Sequence, residues 1–288
     1  MSNATRKPEW LRVKIRSGGN MKSVKAILAR HRLHTVCTEA NCPNRMECFD
    51  SRTATFLVLG AVCTRGCTFC DVAGGVPLPP DPGEPAALAA ASGELGLRHV
   101  VVTSVTRDDL PDGGASHFAA IVHALRAVPT VESIELLIPD LQGLQEALRT
   151  VMKARPDVLN HNIETIPRLY AAVRPGADYR RSLELLKSVK SMDNTVKSKS
   201  GVMVGLGETE SELLQTLRDL RDADCDFLTI GQYLPPSAEA YPLDRYVTPE
   251  EFERYREAAL ELGFLEVASG PLVRSSYHAL DMVHPSDH

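Results

Sequence analysis

The sequence predicts an α/β fold: a partial (β/α)6 TIM-type barrel with an N-terminal extension and a C-terminal tail. Three observations lead there. From residue 55 onward, short apolar β-rich runs alternate with helical patterns. Several of those runs are apolar without interruption, as strands buried on both faces of a parallel sheet should be. Polar, reactive-looking residues also stand just after one strand after another, where a barrel of this type keeps its active-site loops. The expected organisation is an extension over 1–54, the barrel over 55–262 and the tail over 263–288.

Taken in order, the strands are expected at 55–60 (TFLVLG), 99–105 (HVVVTSV), 133–138 (SIELLI), 156–161 (PDVLNH), 199–205 (KSGVMVG) and 226–231 (DFLTIG), with a weaker seventh near 263–268. Helical stretches fall between them, near 84–95, 115–127, 141–153, 179–192, 209–223 and 249–262. Two helix starts have clear chemistry. Thr209 with Glu212, and Thr248 with Glu251, fit the capping box, in which side chains satisfy orphan backbone donors. Pro249 suits the first helical position, where no N–H is needed. Residues 74–85 (GGVPLPPDPGEP) read as a loop, and no internal repeat is present. A doubly wound dinucleotide fold fits less well, because Gly205-Leu206-Gly207 lies far along the chain and lacks the third glycine.

Composition narrows the class. Of 288 residues, 43% are hydrophobic and 24% charged, with a formal net charge of −5. That is ordinary for a globular protein and excludes a disordered or collagen-like chain. No window approaches the roughly 18 unbroken apolar residues of a spanning helix. The balance lacks the basic excess of a general nucleic-acid binder. Charge is uneven, however: residues 1–32 carry nine bases and only Glu9 as an acid. This start has no apolar core of a secretory signal, and a cysteine motif beginning at Cys37 leaves little room for a cleavable leader. A cytoplasmic protein is expected.

Cysteine usage is the most informative feature. Six of seven cysteines fall between positions 37 and 70, which reads as metal ligation, since disulfide scaffolds are short chains with even counts. Cys63-Thr-Arg-Gly-Cys67-Thr-Phe-Cys70 has the spacing C-x3-C-x2-C after the first strand. Three thiolates can hold three irons of a [4Fe–4S] cube and leave the fourth open. A zinc loop is the plain alternative, although such loops usually carry paired C-x2-C units. Upstream, Cys37, Cys42 and Cys48 form a second triplet, C-x4-C-x5-C, and Arg274-Ser275-Ser276-Tyr277 stands near the other end.

The first motif, with Phe69 as its aromatic, resembles the radical S-adenosylmethionine (SAM) superfamily. Together the three motifs resemble the lipoyl synthase family within it. The likeness extends through Ala40-Asn41-Cys42-Pro43-Asn44, Thr103-Ser104-Val105, Asn160-His161-Asn162-Ile163-Glu164-Thr165, Arg174-Pro175-Gly176-Ala177, Gly205-Leu206-Gly207-Glu208-Thr209 and Gly231-Gln232-Tyr233-Leu234, nearly the whole chain. The resemblance implies two [4Fe–4S] clusters and SAM as cofactors. Cys63, Cys67 and Cys70 would bind the cluster that cleaves SAM to a 5′-deoxyadenosyl radical. Cys37, Cys42 and Cys48 would bind an auxiliary cluster, whose fourth ligand falls by position on Ser276, with Ser275 the alternative. The implied reaction is a sulfurtransferase step. Two sulfurs enter at C6 and C8 of an octanoyl chain on a lipoyl carrier protein, with an external one-electron reductant and a cluster repair protein as further partners. No nucleic acid or membrane is implied.

Single residues also carry alternatives. Phe69, Thr103 and Ser104 are expected at the cofactor. Asn162 and Glu164 follow the fourth strand and suit the polar groups of SAM, or else a loop or helix cap. Arg174 could reach a carboxylate or lie on the surface. Arg274 could shield or position the auxiliary cluster. Arg107, Asp108 and Asp109 are either a site contact or a solvated ion-pair loop. His161 reads as a hydrogen-bonded core residue and Cys225 as a small buried hydrophobe. Two rivals follow from the same cysteines: a non-catalytic zinc module and a biotin-synthase-like sulfur inserter, the latter opposed by the serine motif and C-x4-C-x5-C.

Overall fold

The computed structural model describes residues 7–12, 20–40, 42, 44–50, 55–276 and 279–283. Asn41, Pro43 and Tyr277, which belong to the sequence motifs, lie outside the described residues, as do positions 1–6 and 13–19 of the basic stretch 1–32. The extension supplies helix α1 (Asn20–Arg30), a two-residue strand β1 (His34–Thr35) and two short helices, α2 (Val36–Glu39) and α3 (Arg45–Asp50). Strand β2 (Thr55–Val58) opens the barrel, and β1 lies antiparallel to it with His34 opposite Leu57. Strands β3 (Val62–Cys63) and β4 (Ala73–Gly74) form a small parallel pair at the base of the cysteine loop.

Regular alternation follows: α4 (Glu84–Leu95), β5 (His99–Ser104), α5 (Ala115–Arg126), β6 (Ser133–Leu137), α6 (Gln145–Lys153), β7 (Val158–Asn160), α7 (Tyr170–Val173), α8 (Tyr179–Met192), β8 (Lys197–Val204), α9 (Glu210–Asp222), β9 (Phe227–Gln232), α10 (Pro249–Glu261), β10 (Glu266–Gly270) and α11 (Ala279–Val283). The eight strands run in the order β1-β2-β5-β6-β7-β8-β9-β10, parallel from β2 onward. The sheet is not closed. Helix α11 lies against both β10 and β5, strands from opposite parts of the open sheet. No helix among the described residues is long and apolar enough to cross a membrane.

Sequence pattern and structure agree where local chemistry is strong. Both capping boxes form: the Thr209 and Thr248 side chains accept from the N–H groups of Glu212 and Glu251, whose carboxylates return the bond. Differences arise where a side chain replaces backbone pairing. The helix expected over 141–153 starts only at Gln145, because Leu141–Gly143 form a 3-10 turn capped by Asp140, with Leu141 and Gln142 at positive φ. The strand expected over 156–161 shrinks to Val158–Asn160, since the Asp157 carboxylate, rather than a ladder bond, takes the Ile134 N–H at 2.7 Å. The weak seventh strand pairs in full parallel register with β9.

The barrel interior is not wholly apolar. Lys199 donates to both oxygens of Glu135 at 3.0 and 3.1 Å, and Asn160 adds a bond at 2.8 Å, all fully buried. Burial opposes the Glu135 charge, yet Lys199, His99 and Asn160 hold its carboxyl at about 2. Removing one partner of such a pair typically costs about 3–5 kcal/mol, because the other is left charged and dry.

Candidate functional site

A cavity of about 690 Å³ opens around the C-terminal ends of the strands. Its wall includes all six clustered cysteines, Arg274, Ser275 and Ser276, together with Phe69, Thr103, Ser104, Asn162, Glu164 and Arg174. Every residue expected at the site from sequence therefore faces one space.

The loop Cys63–Cys70 is tied down along its length. Thr64 N–H donates to Thr106 O at 3.1 Å, and Thr68 N–H to Val173 O at 3.0 Å. Thr68 Oγ1 donates to Ala172 O at 2.8 Å, and Tyr241 N–H to Thr68 O at 2.8 Å. Arg65 forks onto Asp108 at 2.6 and 2.9 Å and reaches Asp140 at 2.7 Å, while Arg181 meets the other Asp140 oxygen at 3.1 Å. Burial opposes the Asp140 charge, but Arg65 holds its carboxyl at about 2. The sulfurs are oriented as well. Arg65 and Thr106 N–H point at Cys63 Sγ at 3.4 and 3.3 Å, and Val72 N–H at Cys70 Sγ at 3.4 Å. Such donors stabilise a thiolate and tune a cluster bound to it.

The upstream triad is built differently. Cys37 sits in the four-residue α2 and Cys48 in the six-residue α3. Cys42 lies between them, its N–H donating to Cys37 O at 3.3 Å. Burial and the mutual repulsion of the three sulfurs push the Cys48 thiol up to about 12, and burial raises Cys37 in the same direction. Thiols so raised hold their protons at neutral pH, so binding metal must expel them. The buried Asn44 donates to Leu272 O at 2.7 Å, joining this region to the tail. The tail then crosses β9 at Gly231, where a Cβ would collide with the Val273 carbonyl. Arg274 lies within electrostatic reach of Cys42, and its Nη1 donates to Val273 O at 2.6 Å.

Asn162, Glu164 and Arg174 form the polar wall between. Glu164 takes a left-handed backbone (φ 64), pinned by its N–H on Gly201 O and by Met203 N–H on its carbonyl. A non-glycine residue held there stores strain, which folds tolerate chiefly at functional positions. Burial pushes the Glu164 carboxyl above the ordinary carboxylate range, against the pull of Arg174 and Asn162. Among the described residues Arg174 hydrogen-bonds no carboxylate of the protein. Its Nη1 donates to Asn162 O, Ile163 O and Tyr170 Oη at 2.9, 3.3 and 2.8 Å, and its guanidinium lies 5.2 Å from the Tyr170 ring. It is buried, so the surface alternative fails. Thr103 Oγ1 donates to Leu137 O, and Phe69 packs with Ile166, Val173 and Tyr233.

The Arg107 loop does not line the cavity; it is an ion-pair loop with Asp108 and Asp109 exposed, and only its arginine departs from a solvated one. Arg107 is buried, forks onto Asp109 at 2.9 and 2.8 Å, and donates to Leu59 O at 3.1 Å, fixing the end of the segment before the cysteine loop. His161 is a core residue, bonded to Ile138 O and Ser182 Oγ, and Cys225 is fully buried. Three contributors escaped the sequence reading: Arg65, Asp140 and Asn44. Asp140 had a signal, since it follows the third strand as other polar site residues follow theirs.

These residues fit iron–sulfur clusters and a polar ligand. Ser104 Oγ, Asn162 Oδ1 and Arg174 Nε are buried with no hydrogen-bond partner among the described residues, so residues lining the pocket keep polar atoms unused. Among the described residues no three side chains close around a single metal ion. A four-iron cube is larger and takes each thiolate at a different corner.

Known proteins point the same way. Residues 57–220 match the radical SAM superfamily, and residues 1–42 match the N-terminal domain of lipoyl synthase of that family. The lipoyl synthase of Alkaliphilus metalliredigens is 58% identical over 279 residues, 97% of this chain and 96% of the relative. That of Caldanaerobacter subterraneus subsp. tengcongensis is 59% identical over 274 residues, 95% of this chain and 96% of the relative. Among solved structures, the FeFe-hydrogenase maturase HydG from Carboxydothermus hydrogenoformans superposes with a TM-score of 0.58 at 14% identity, covering 80% of this chain and 65% of that one. SuiB of Streptococcus suis, bound to S-adenosylmethionine, superposes at 0.56 and 10% identity, covering 71% and 46%. These two likenesses concern the fold alone.

Proposed function

The chain belongs to the lipoyl synthase family of the radical SAM superfamily, and on that premise we propose how its residues insert two sulfurs at C6 and C8 of a carrier-bound octanoyl chain. One observation carries the reading: both cysteine triads, the Arg-Ser-Ser segment and the polar wall open onto a single cavity. Cys63, Cys67 and Cys70 would hold the cluster that engages SAM. Cys37, Cys42 and Cys48, with Ser276, would hold a second. When bound, the first cluster and SAM supply the one-electron chemistry that removes hydrogen from carbon too weakly acidic for any side-chain base.

The chain's part is placement and exclusion. Backbone N–H groups aim the sulfurs of Cys63 and Cys70. Asn162 and Arg174 keep an acceptor, Oδ1, and a donor, Nε, that no described residue uses, and with an ionised Glu164 they would supply the polar groups for the polar end of SAM. Leu57, Val105, Leu137, Met203 and Val273 give the cavity an apolar lining that suits an acyl chain and excludes water. Ser276 would contribute a hydroxyl oxygen as the fourth ligand of the second cluster, a harder donor than the three thiolates and one able to take back its proton. Arg274 sets a positive charge beside Cys42. An octanoylated carrier domain, a one-electron reductant and a repair system that restores the second cluster complete the reaction.

The test is anaerobic purification with iron and sulfide assay, an absorption spectrum, and turnover on an octanoylated carrier peptide. About eight irons per chain and lipoylated product support the reading. Zinc in their place, or sulfur insertion undiminished in Cys37→Ala, would overturn it. Ser276→Cys should keep its iron yet transfer sulfur at least about tenfold more slowly; full activity there would remove the labile-serine role.

A further inference from the structure

We infer that Asn162 clasps the C-terminal tail through Ser275 and thereby sets the position of Ser276, so that Asn162 and Ser275 are positioning residues for the upstream triad. The inference rests on the reading above that Ser276 completes that triad. Asn162 spends both hydrogens of its side-chain amide: one on Ser275 Oγ at 2.7 Å, the other on Glu164 Oε1 at 2.9 Å. The bond joins residues 113 positions apart, from the loop after β7 to the segment after β10.

The anchor is stiff. The Asn162 carbonyl is held by Arg174 Nη1, and the following Ile163 N–H donates to Ser200 Oγ at 3.1 Å. Glu164 is fixed through its own backbone on Gly201 and Met203. Gly201 leaves the room required, since a Cβ there would lie 2.8 Å from Asn162 Oδ1 and 2.7 Å from Thr229 Oγ1. The side chain therefore has one place to stand, and Ser275 is what it meets.

The tail is thus held at two points three residues apart. Leu272 is held from the triad side by Asn44, and Ser275 from the barrel side by Asn162. Between them Val273 N–H closes a turn onto Gly270 O at 3.1 Å. Ser276 hangs directly from the second point, one Cα step of about 3.8 Å further on. The consequence is functional. Ser276 can leave the triad and return without release of the tail, because the clasp belongs to the neighbouring serine. The pair Ser275-Ser276 divides the work: the first serine is held, the second is free to exchange.

The experiment uses the full chain carrying Cys63→Ala, Cys67→Ala and Cys70→Ala, so that only the upstream triad takes a cluster, rebuilt anaerobically with iron and sulfide. Two readouts are taken: the Mössbauer spectrum and the rate at which a ferrous chelator strips the iron. Ser276→Ala should change the spectrum at one iron; an unchanged spectrum there overturns the ligand reading and the clasp with it. Given that change, Ser275→Ala should shift the same iron and speed stripping about five- to tenfold, the worth of one buried hydrogen bond. Asn162→Ala should do likewise, the double variant should be no faster than either single one, and Ser275→Thr should restore the parent rate. Should Ser275→Ala fail to fold, Asn162→Ala carries the same expectation. Parent-like stripping in Ser275→Ala or Asn162→Ala, or effects that multiply in the double variant, would overturn the clasp while leaving the ligand reading intact.

Discussion

The two cysteine triads of this chain are held in opposite ways. Cys63–Cys70 form a loop bonded to the ends of β5 and α7, with Arg65 locked between Asp108 and Asp140 and N–H donors on two sulfurs. Cys37 and Cys48 ride on helices of four and six residues with Cys42 between them, ahead of the first barrel strand; Cys37 is buried against the core, and Asn44 ties the segment to the tail. The first site is embedded in a dense frame of hydrogen bonds and ion pairs, and the second is attached through the packing of Cys37 and the link from Asn44 to the tail. On the proposed reading the difference would match a division of labour: a cluster that must survive every turnover would sit in the fixed frame, and one that gives up sulfur would sit at the site with fewer bonds among the described residues.

The comparison can be broken most forcefully by deleting one side of it. Replacing Cys63, Cys67 and Cys70 with Ala should abolish 5′-deoxyadenosine formation and remove about half the iron, with the upstream triad's cluster retained. Loss of all iron, or SAM cleavage that continues, would show that the sites do not stand independently. A milder cut is Asp140→Asn. It leaves Arg65 and Arg181 short of a buried partner, and we expect a stability loss of about 3 kcal/mol. Iron should fall at the embedded triad alone, measured by Mössbauer spectroscopy and thermal unfolding. Equal loss at both triads would erase the distinction.

Acid should also act on the barrel side. Burial and the Arg174 charge press the His161 pKa down to about 4, against about 6.5 in an unfolded chain. The neutral ring's contribution is therefore complete above pH 6.5 and is lost as pH falls toward 4. It amounts to at most about 3 kcal/mol. Denaturant unfolding of the metal-free protein should show this slope, flattened in His161→Gln. Glu135 and Asp140, both near 2, lose their contribution only at lower pH. An unchanged slope in His161→Gln would contradict the assignment. The smallest effect is expected on the attached side. Asn44→Ala orphans the Leu272 carbonyl and should cost about 1–2 kcal/mol, with faster chelation of the upstream cluster and none of the other.

The same contrast separates what the sequence makes legible from what it does not. The barrel strands, their helices and the Cys63–Cys70 loop can be read from periodicity, capping residues and spacing, all local features. The two-residue β1 is too short to leave a pattern, and the breaks at Leu141 and Asp157 come from side chains that replace backbone bonds. Asp140 obeys the rule of polar residues after strands and was there to be found. The bonds that build the attached site, Asn44 to Leu272 and Asn162 to Ser275, span 228 and 113 residues. No local pattern encodes such pairs; only the folded barrel brings them together. Arg107 shows the converse, a charged surface-looking motif whose arginine is buried.

The proposed division of labour is tested most directly by the fate of the sulfide in a cluster rebuilt at the upstream triad. Rebuild that cluster with heavy-isotope sulfide, add SAM, reductant and an octanoylated carrier peptide without any repair system, and weigh the product. The account predicts that both inserted sulfurs carry the label and that each chain makes no more than about one lipoyl group. Unlabelled product sulfur, or many turnovers without repair, would contradict it.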